Sequence, residues 1–446
     1  MCSVRLWPVM LWTVLLLPLV ANAVDGKPNI LIITADNLGY ADLPCFDAKS
    51  TARTPHINRL AEGGAKLTDF YTPSSTCTVS RACLLTGRIP LRHGLSIQLP
   101  GIAGNYGVGL RQKEILIPQV LSPVGYRCGC FGKWNIGFAP GSRPTERGFH
   151  EFLGHVSGNI DYYTHNYNQK HDLYQGVEEV HLKGYATDLF ADAASDFIRR
   201  HQDSPWFVYL PFNAPHFPNP RNRAPGQEAL WQAPDAAFAE YGYDPATRDE
   251  NQRYNAVLTA LDTAIGRVLE TLDETGLTEN TFVFFYSDNG AFMLTGRGLE
   301  VSSNAPFRSG GVTCWEGGVR VAAIARWPSA IRPGSIIHEP LWSPDLMIAA
   351  ATLAGAKLPE VRLDGHNPLP VLSGQAKSPH RSMYFSYRRH RALRMGDWKI
   401  VRTHPDEPWQ LFNLVRDVGE TTDLSTRNSA AKAALLAELK RWEQMH

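Results

Sequence analysis

The sequence predicts an α/β fold, a largely parallel sheet covered by helices on both faces, followed by a smaller antiparallel sheet in a C-terminal subdomain. Three observations carry this prediction. Continuous apolar runs at residues 29–34 (NILIIT), 126–131, 206–210 and 281–286 (TFVFFY) have the character of strands buried on both faces. Helical patterns lie between them, with Leu189, Phe190, Ala193 and Phe197 on one stripe of 186–200, and Val257, Leu261, Ile265 and Leu269 on one stripe of 252–272. Beyond about Ile336 the alternation stops, and short strand-like runs separated by turns take over.

Taken in order, residues 1–23 form the first element. One arginine, Arg5, precedes an apolar run over 6–20, and Ala21-Asn22-Ala23 supplies a small-residue cleavage site. This is the pattern of a secretory signal peptide, so the chain is expected to be exported and to keep no stable membrane span after cleavage. Pro8, Pro18 and the shortness of the run speak against an uncleaved anchor. The strand at 29–34 then runs into Asp36-Asn37, that at 126–131 into Gly132-Lys133-Trp134-Asn135, that at 206–210 into Asn213-Ala214-Pro215-His216, and that at 281–286 into Asp288-Asn289. Ligands of parallel α/β sheets gather beyond the carboxyl ends of the strands, where all these polar residues fall. Residues 24–335 are therefore expected to form the main domain with the ligand site and 336–446 the C-terminal subdomain, the latter with helices at 344–356 and 430–445 around its short strands.

Composition sets the outer limits. The 446 residues are 43% hydrophobic and 20% charged with a formal net charge of +1, which leaves no electrostatic footprint for nucleic acid. Export permits disulfides, yet Cys45, Cys77, Cys83, Cys128, Cys130 and Cys314 are too few and too scattered for a disulfide framework. Cys128 and Cys130 fall within a buried strand and read as packing.

The stretch from Tyr71 to Gly94, YTPSSTCTVSRACLLTGRIPLRHG, carries the most chemistry. A cysteine opening a helix sits near unpaired backbone N–H groups and the positive end of the helix dipole, and Arg81 one turn later can clamp anion oxygens. Alone, Cys77-Thr78-Val79-Ser80-Arg81 is also compatible with a packed structural cysteine. The order of motifs around it decides the reading. With Leu-Thr-Gly-Arg following, the segment resembles the Cys-x-Pro-Ser-Arg signature of the sulfatases, in which the cysteine is oxidised to formylglycine by a maturation enzyme, and the resemblance extends from Pro28 to about Leu424.

The resemblance implies an alkaline-phosphatase-like sheet, a bound calcium ion and hydrolysis of an aryl or carbohydrate sulfate monoester, so that the partners are a sulfated small molecule or glycan and the formylglycine-generating enzyme. It implies Asp36, Asn37, Asp288 and Asn289 as metal ligands together with the side chain at Cys77. Oxygen ligands suit a hard cation. It further implies Cys77, Arg81, Lys133, His216 and Asp288 as catalytic residues, with Lys133 and His216 contacting the sulfate; His216 would protonate the leaving alcohol, and Asp288 would act as base. Four positions depart from the family pattern. Asn37 replaces an aspartate, Val79 a proline, Asn135 in FGKWNIG a histidine that helps expel sulfate, and Gly311 in PFRSGGVTCWEGG a sulfate-binding lysine. Arg308 is the nearby candidate for the missing cation, and His155 or His165 in GHVSGNIDYYTH for the missing imidazole. A catalytically impaired or silent homologue that binds sulfated glycans is the alternative reading of these changes, and a two-zinc phosphoesterase is disfavoured by Asp288-Asn289 where an Asp-His pair is expected.

Overall fold

The computed structural model describes residues 26–99, 109–218, 230–293 and 300–444. The signal peptide expected at 1–23 lies outside the described residues. The long strands are β1 (Asn29–Ala35), β2 (Ala65–Tyr71), β3 (Arg127–Lys133), β4 (Glu151–His155), β5 (Trp206–Pro211), β6 (Thr281–Ser287) and β7 (Arg320–Arg326). Across the main sheet they run in the order β2-β7-β6-β1-β5-β3-β4. From β6 to β4 every pairing is parallel, with Ala35 opposite Ser287 and Lys133 opposite His155. Strand β7 is antiparallel to both neighbours.

Why these runs are apolar throughout is visible in the packing. Leu31 and Ile33 point into one hydrophobic core with Phe190, Val208, Leu261 and Phe285, while Ile30 and Ile32 point into a second with Cys128, Cys130, Phe207 and Phe284. A strand with helices on both sides has no face left for polar residues. Each large aliphatic or aromatic side chain buried in this way stabilises the fold by about 1.5–3 kcal/mol.

The helices that matter for the site are α1 (Pro55–Glu62), α2 (Cys77–Thr86), α3 (Ala186–Arg200), α4 (Glu250–Glu274), α5 (Asp345–Ala354) and α6 (Ser429–Glu443). Helix α2 is buried along its whole length and stops at Gly87, whose φ of 66° is a left-handed C-cap that glycine adopts without steric cost. In α3 the buried face is broader than the expected stripe. Leu189 and Ala193 are only partly buried, whereas Ala194, Phe197 and Ile198 are fully covered because β3, β5 and α4 all pack on that side.

The C-terminal part differs from the expected division at Ile336. Ser335–Ile337 and Leu341–Trp342 pair in parallel with β2, so they complete the edge of the main sheet. The separate antiparallel sheet starts only at β8 (Met383–Tyr387) and continues through β9 (His390–Met395), β10 (Trp398–Arg402) and β11 (Gln410–Asn413). Helix α6 lays Leu435, Leu439 and Trp442 into a third core, shared with Tyr384, Leu393, Ile400 and, from the main sheet, Tyr71 and Trp342. Among the described residues no helix is long and apolar enough to cross a membrane.

Candidate active site

Three strand exits are tied together by backbone hydrogen bonds. The Asp288 N–H donates to Ala35 O at 3.0 Å, and the Asp36 N–H donates to Ala214 O at 2.9 Å. The residues after β1, β5 and β6 therefore face one spot. Asn37 turns there with φ 60°, a left-handed conformation that asparagine tolerates better than most residues, and its N–H donates to Asp288 Oδ1 at 3.2 Å.

Helix α2 brings the remaining groups. Thr76 is extended (φ −151°, ψ 141°) and Cys77 is the first helical residue. The thiol donates to Asp36 Oδ1 at 3.1 Å and lies 3.7 Å from Asn37 Oδ1. One turn on, Arg81 places Nε and Nη2 against Asp288 Oδ2 at 2.9 and 2.7 Å and donates through Nη1 to Lys133 O at 2.9 Å. Lys133, the last residue of β3, sets its ammonium on Asp36 Oδ2. The ligand atoms of Asp36, Cys77 and His216 all lie within 4.8 Å of one another. Every one of these side chains is buried.

Burial decides the electrostatics. It pushes the Cys77 thiol well above its usual range, helped by the Asp36 carboxylate, so the sulfur is held protonated. Burial and the neighbouring Asp36 also raise Asp288. Burial opposes the charge of Arg81, but Asp288, Asp36 and the other acidic groups around it together outweigh that desolvation and keep it charged. His216 is pushed down to about 3 by burial and by Lys133. Its Nδ1 faces Phe217 O at 2.7 Å and must donate there, so the neutral ring carries its free lone pair on Nε2.

Asp36 and Asn37 set a carboxylate and an amide oxygen against the Cys77 sulfur, and Asp288 and Asn289 are each hydrogen-bonded to Asn37. Asn289 donates through Nδ2 to Asn37 Oδ1, and Asn289 Oδ1 is buried with no hydrogen-bond partner among the described residues. An orphaned buried acceptor among oxygen donors fits a hard cation such as calcium.

The four departures have local explanations of different kinds. Val79 is the third residue of α2, and the first intrahelical bond of that turn is Ser80 N–H to Thr76 O, so the amide at 79 needs no helical acceptor and valine and proline are both admissible. Gly311 cannot simply regain a side chain. A Cβ there would sit 2.7 Å from Gly290 O and 2.8 Å from Phe292 Cδ1. Gly311→Lys is expected to destabilise the protein by about 1–3 kcal/mol and to give no gain in turnover even when combined with Asn135→His; a melting temperature equal to wild type with faster turnover would contradict this.

Arg308, expected to stand in for the missing lysine, is taken up elsewhere. Its guanidinium stacks 3.7 Å over Trp315 and donates to Glu420 O at 2.9 Å, on the side of the C-terminal subdomain. His155 is buried at the end of β4 beside Phe190, its Nδ1 4.0 Å from Asp172, and His165 is held through Nε2 on Gly184 O. Packing fixes both rings. Sequence reasoning missed Thr76, Thr78 and Gln98, which surround the Cys77 backbone and Asn135. No motif signals Gln98, because its partners are set by the path of the chain after α2.

Comparison with known proteins agrees with this architecture. The family model described as Sulfatase matches residues 28–356. Arylsulfatase A of Homo sapiens is 34% identical over 96% of this chain and 89% of its own length. N-acetylgalactosamine-6-sulfatase of Rattus norvegicus is 30% identical over 92% of this chain and 78% of its own length. The crystal structure of Ps i-CgsB in complex with k-i-k-neocarrahexaose superposes with a TM-score of 0.83 at 31% identity, covering 94% of this chain and 93% of that one.

Proposed function

Because the chain belongs to the sulfatase family, and is thus a sulfuric ester hydrolase, we propose that it cleaves a sulfate monoester at Cys77, converted to formylglycine, with calcium held by Asp36, Asn37, Asp288 and Asn289. The observation that supports this most is the position of Cys77: first residue of a buried helix, hydrogen-bonded to Asp36 and within reach of His216. A formylglycine hydrate supplies one hydroxyl to attack sulfur and a second whose deprotonation expels sulfate, which a single serine-like hydroxyl cannot do.

This chain's own residues do the rest. Arg81 and Lys133 offset the negative charge of Asp36 and Asp288 and keep the position of residue 77 compatible with an anionic ester. Asp288, its carboxyl raised by burial and by the neighbouring Asp36, would act as the base. His216 Nε2 is neutral in the free protein, and the charge of a bound sulfate is what would bring the ring into a range where it can protonate a leaving alcohol. The Asn135 amide can hydrogen-bond in the second half of the reaction but cannot accept a proton there.

The alcohol is a small aryl group or a carbohydrate. The oligosaccharide bound to Ps i-CgsB supports the second. Maturation requires a formylglycine-generating enzyme that accepts Val79, and the leader at residues 1–23 would carry the chain out of the cytoplasm. Mass spectrometry of the peptide containing Cys77, from protein made in its native host, tests the reading together with an aryl sulfate assay. Formylglycine with turnover is the expected result; unmodified cysteine would remove the proposed mechanism. Calcium added to verified metal-free protein is expected to raise the melting temperature, by an amount corresponding to about 2.7 kcal/mol at a hundredfold excess over Kd, and an unchanged melting temperature across the titration would remove the proposed metal site.

A further inference from the structure

The residues on either side of Cys77 share one acceptor. Thr76 donates its hydroxyl to Gln98 Oε1 at 2.8 Å, and the Thr78 N–H donates to the same oxygen at 3.1 Å. A backbone N–H can only donate, so the atom of Gln98 facing it must be the oxygen. Its Nε2 is then the atom that faces Asn135, at 2.9 Å, and Asn135 must answer with Oδ1. The Thr78 hydroxyl donates to the same Oδ1 at 2.8 Å. Both lone pairs of Asn135 Oδ1 are thereby used, and turning the amide over would set its NH2 against the NH2 of Gln98, an obligate donor.

What remains is Asn135 Nδ2, a buried donor with no partner among the described residues. It belongs to a residue at φ 57°, two positions after Lys133, and it lies 3.9 Å from where a side chain on Gly158 would begin. An unpaired buried donor is costly unless something occupies it. Thr78, which holds the other face of the amide, is the residue after Cys77, so this donor lies on the side of the helix start where a sulfate ester reacting at residue 77 would sit, and an oxygen of that anion is a fitting occupant.

We propose that Gln98 is a positioning residue: it braces the backbone of Cys77 from both sides and fixes the Asn135 amide so that Nδ2 is offered as a neutral hydrogen-bond donor to a sulfate oxygen. The proposal rests on the sulfate-ester reading of this site. A neutral donor binds the anion at any pH, whereas it takes no part in proton transfer. An imidazole at 135 would offer one acceptor nitrogen in place of the two lone pairs that Gln98 Nε2 and the Thr78 hydroxyl now share.

Two variants test it, in full-length protein whose formylglycine content is measured for each preparation. Asn135→Asp keeps the acceptor for Thr78 and Gln98 but replaces the free donor by an oxygen. It is expected to weaken binding of inorganic sulfate in calorimetry about tenfold or more and to raise KM for an aryl sulfate by a similar factor. Gln98→Glu keeps the acceptor for Thr76 and Thr78 but loses the donor to Asn135. It is expected to lower kcat/KM and sulfate affinity several-fold while the melting temperature stays near wild type. Sulfate affinity within twofold of wild type in both variants would overturn the proposal. A wild-type protein that binds sulfate but hydrolyses no ester would sink the functional reading and leave this proposal to be judged on binding, whereas active wild type with unchanged variants would sink this proposal alone.

Discussion

Cys77→Ala is expected to abolish hydrolysis of sulfate esters while leaving the protein folded. The side chain is almost fully covered, at 2% exposure, and its polar contacts are the hydrogen bond to Asp36 and the longer approach to Asn37 Oδ1. Losing a single sulfur atom there opens a small space, and Asp36 retains the ammonium of Lys133 with Arg81 beyond it. The cost in stability should stay near 1 kcal/mol. Activity should instead fall to the uncatalysed background, because the proposed reaction needs the two hydroxyls that a formylglycine hydrate at residue 77 supplies, and the neighbouring hydroxyls of Thr76 and Thr78 are engaged with Gln98 and Asn135. Activity assays on variant protein with a wild-type melting temperature decide the matter, and retained turnover would rule out chemistry at residue 77.

Lys399→Met is expected to have the largest effect on stability. Lys399, on β10, is completely buried between Glu316 at 2.8 Å and Glu420 at 3.0 Å. Glu316 also accepts from the Tyr71 hydroxyl at 2.6 Å and faces Arg320 at 3.3 Å, so this cluster links the main sheet to the C-terminal subdomain. Removing the ammonium would leave two buried carboxylates side by side. Breaking a buried ion pair in this way costs about 3–5 kcal/mol, which thermal or denaturant unfolding would register directly.

The pH dependence of that loss follows from the same cluster. Burial is offset at Glu316 by Lys399, Arg320 and Arg394, which hold it down at about 2; its contribution is present above the usual carboxyl range and fades as pH falls. Glu420 is pushed up to about 7 by burial and the repulsion of Glu316, against the pull of Lys399. The folded state therefore binds a proton at Glu420 that the unfolded chain releases between pH 4.5 and about 7, and this group favours folding less as pH rises through that window. Without Lys399 both carboxyls would rise further, so the variant should lose more stability at pH 8 than at pH 5. An equal loss at both values would mean that the carboxylates are not what the ammonium compensates.

The site reads differently once the chain is folded because its parts come from elements that sequence spacing does not relate. Asp36, Asp288 and His216 were legible, since each follows an apolar run and strand ends are where such folds collect ligands. Arg308 looked like a replacement cation because it lies close to Gly311 in the chain, yet the turn that follows it sends its guanidinium onto Trp315. The empty place at Gly311 has a tertiary cause as well, in the approach of Gly290 and Phe292. Gln98 carried no signal, for its role depends on a chain that doubles back beside α2 to meet Thr76 and Asn135 at once.

The sequence by itself determined the alternation of strands and helices, the burial of the central sheet on both faces and the set of residues at the strand ends, because hydrophobic period and turn chemistry are local properties of the chain. Only the tertiary structure decided which polar groups meet. Backbone ties between β1, β5 and β6 set Asp36 against Asp288, parallel pairing of β3 with β4 and β5 delivered Lys133, and burial held the thiol of Cys77 protonated beside them. Hydrogen bonds and pKa values depend on distances of a few ångströms between residues far apart in the chain, and those distances exist only after the core has packed.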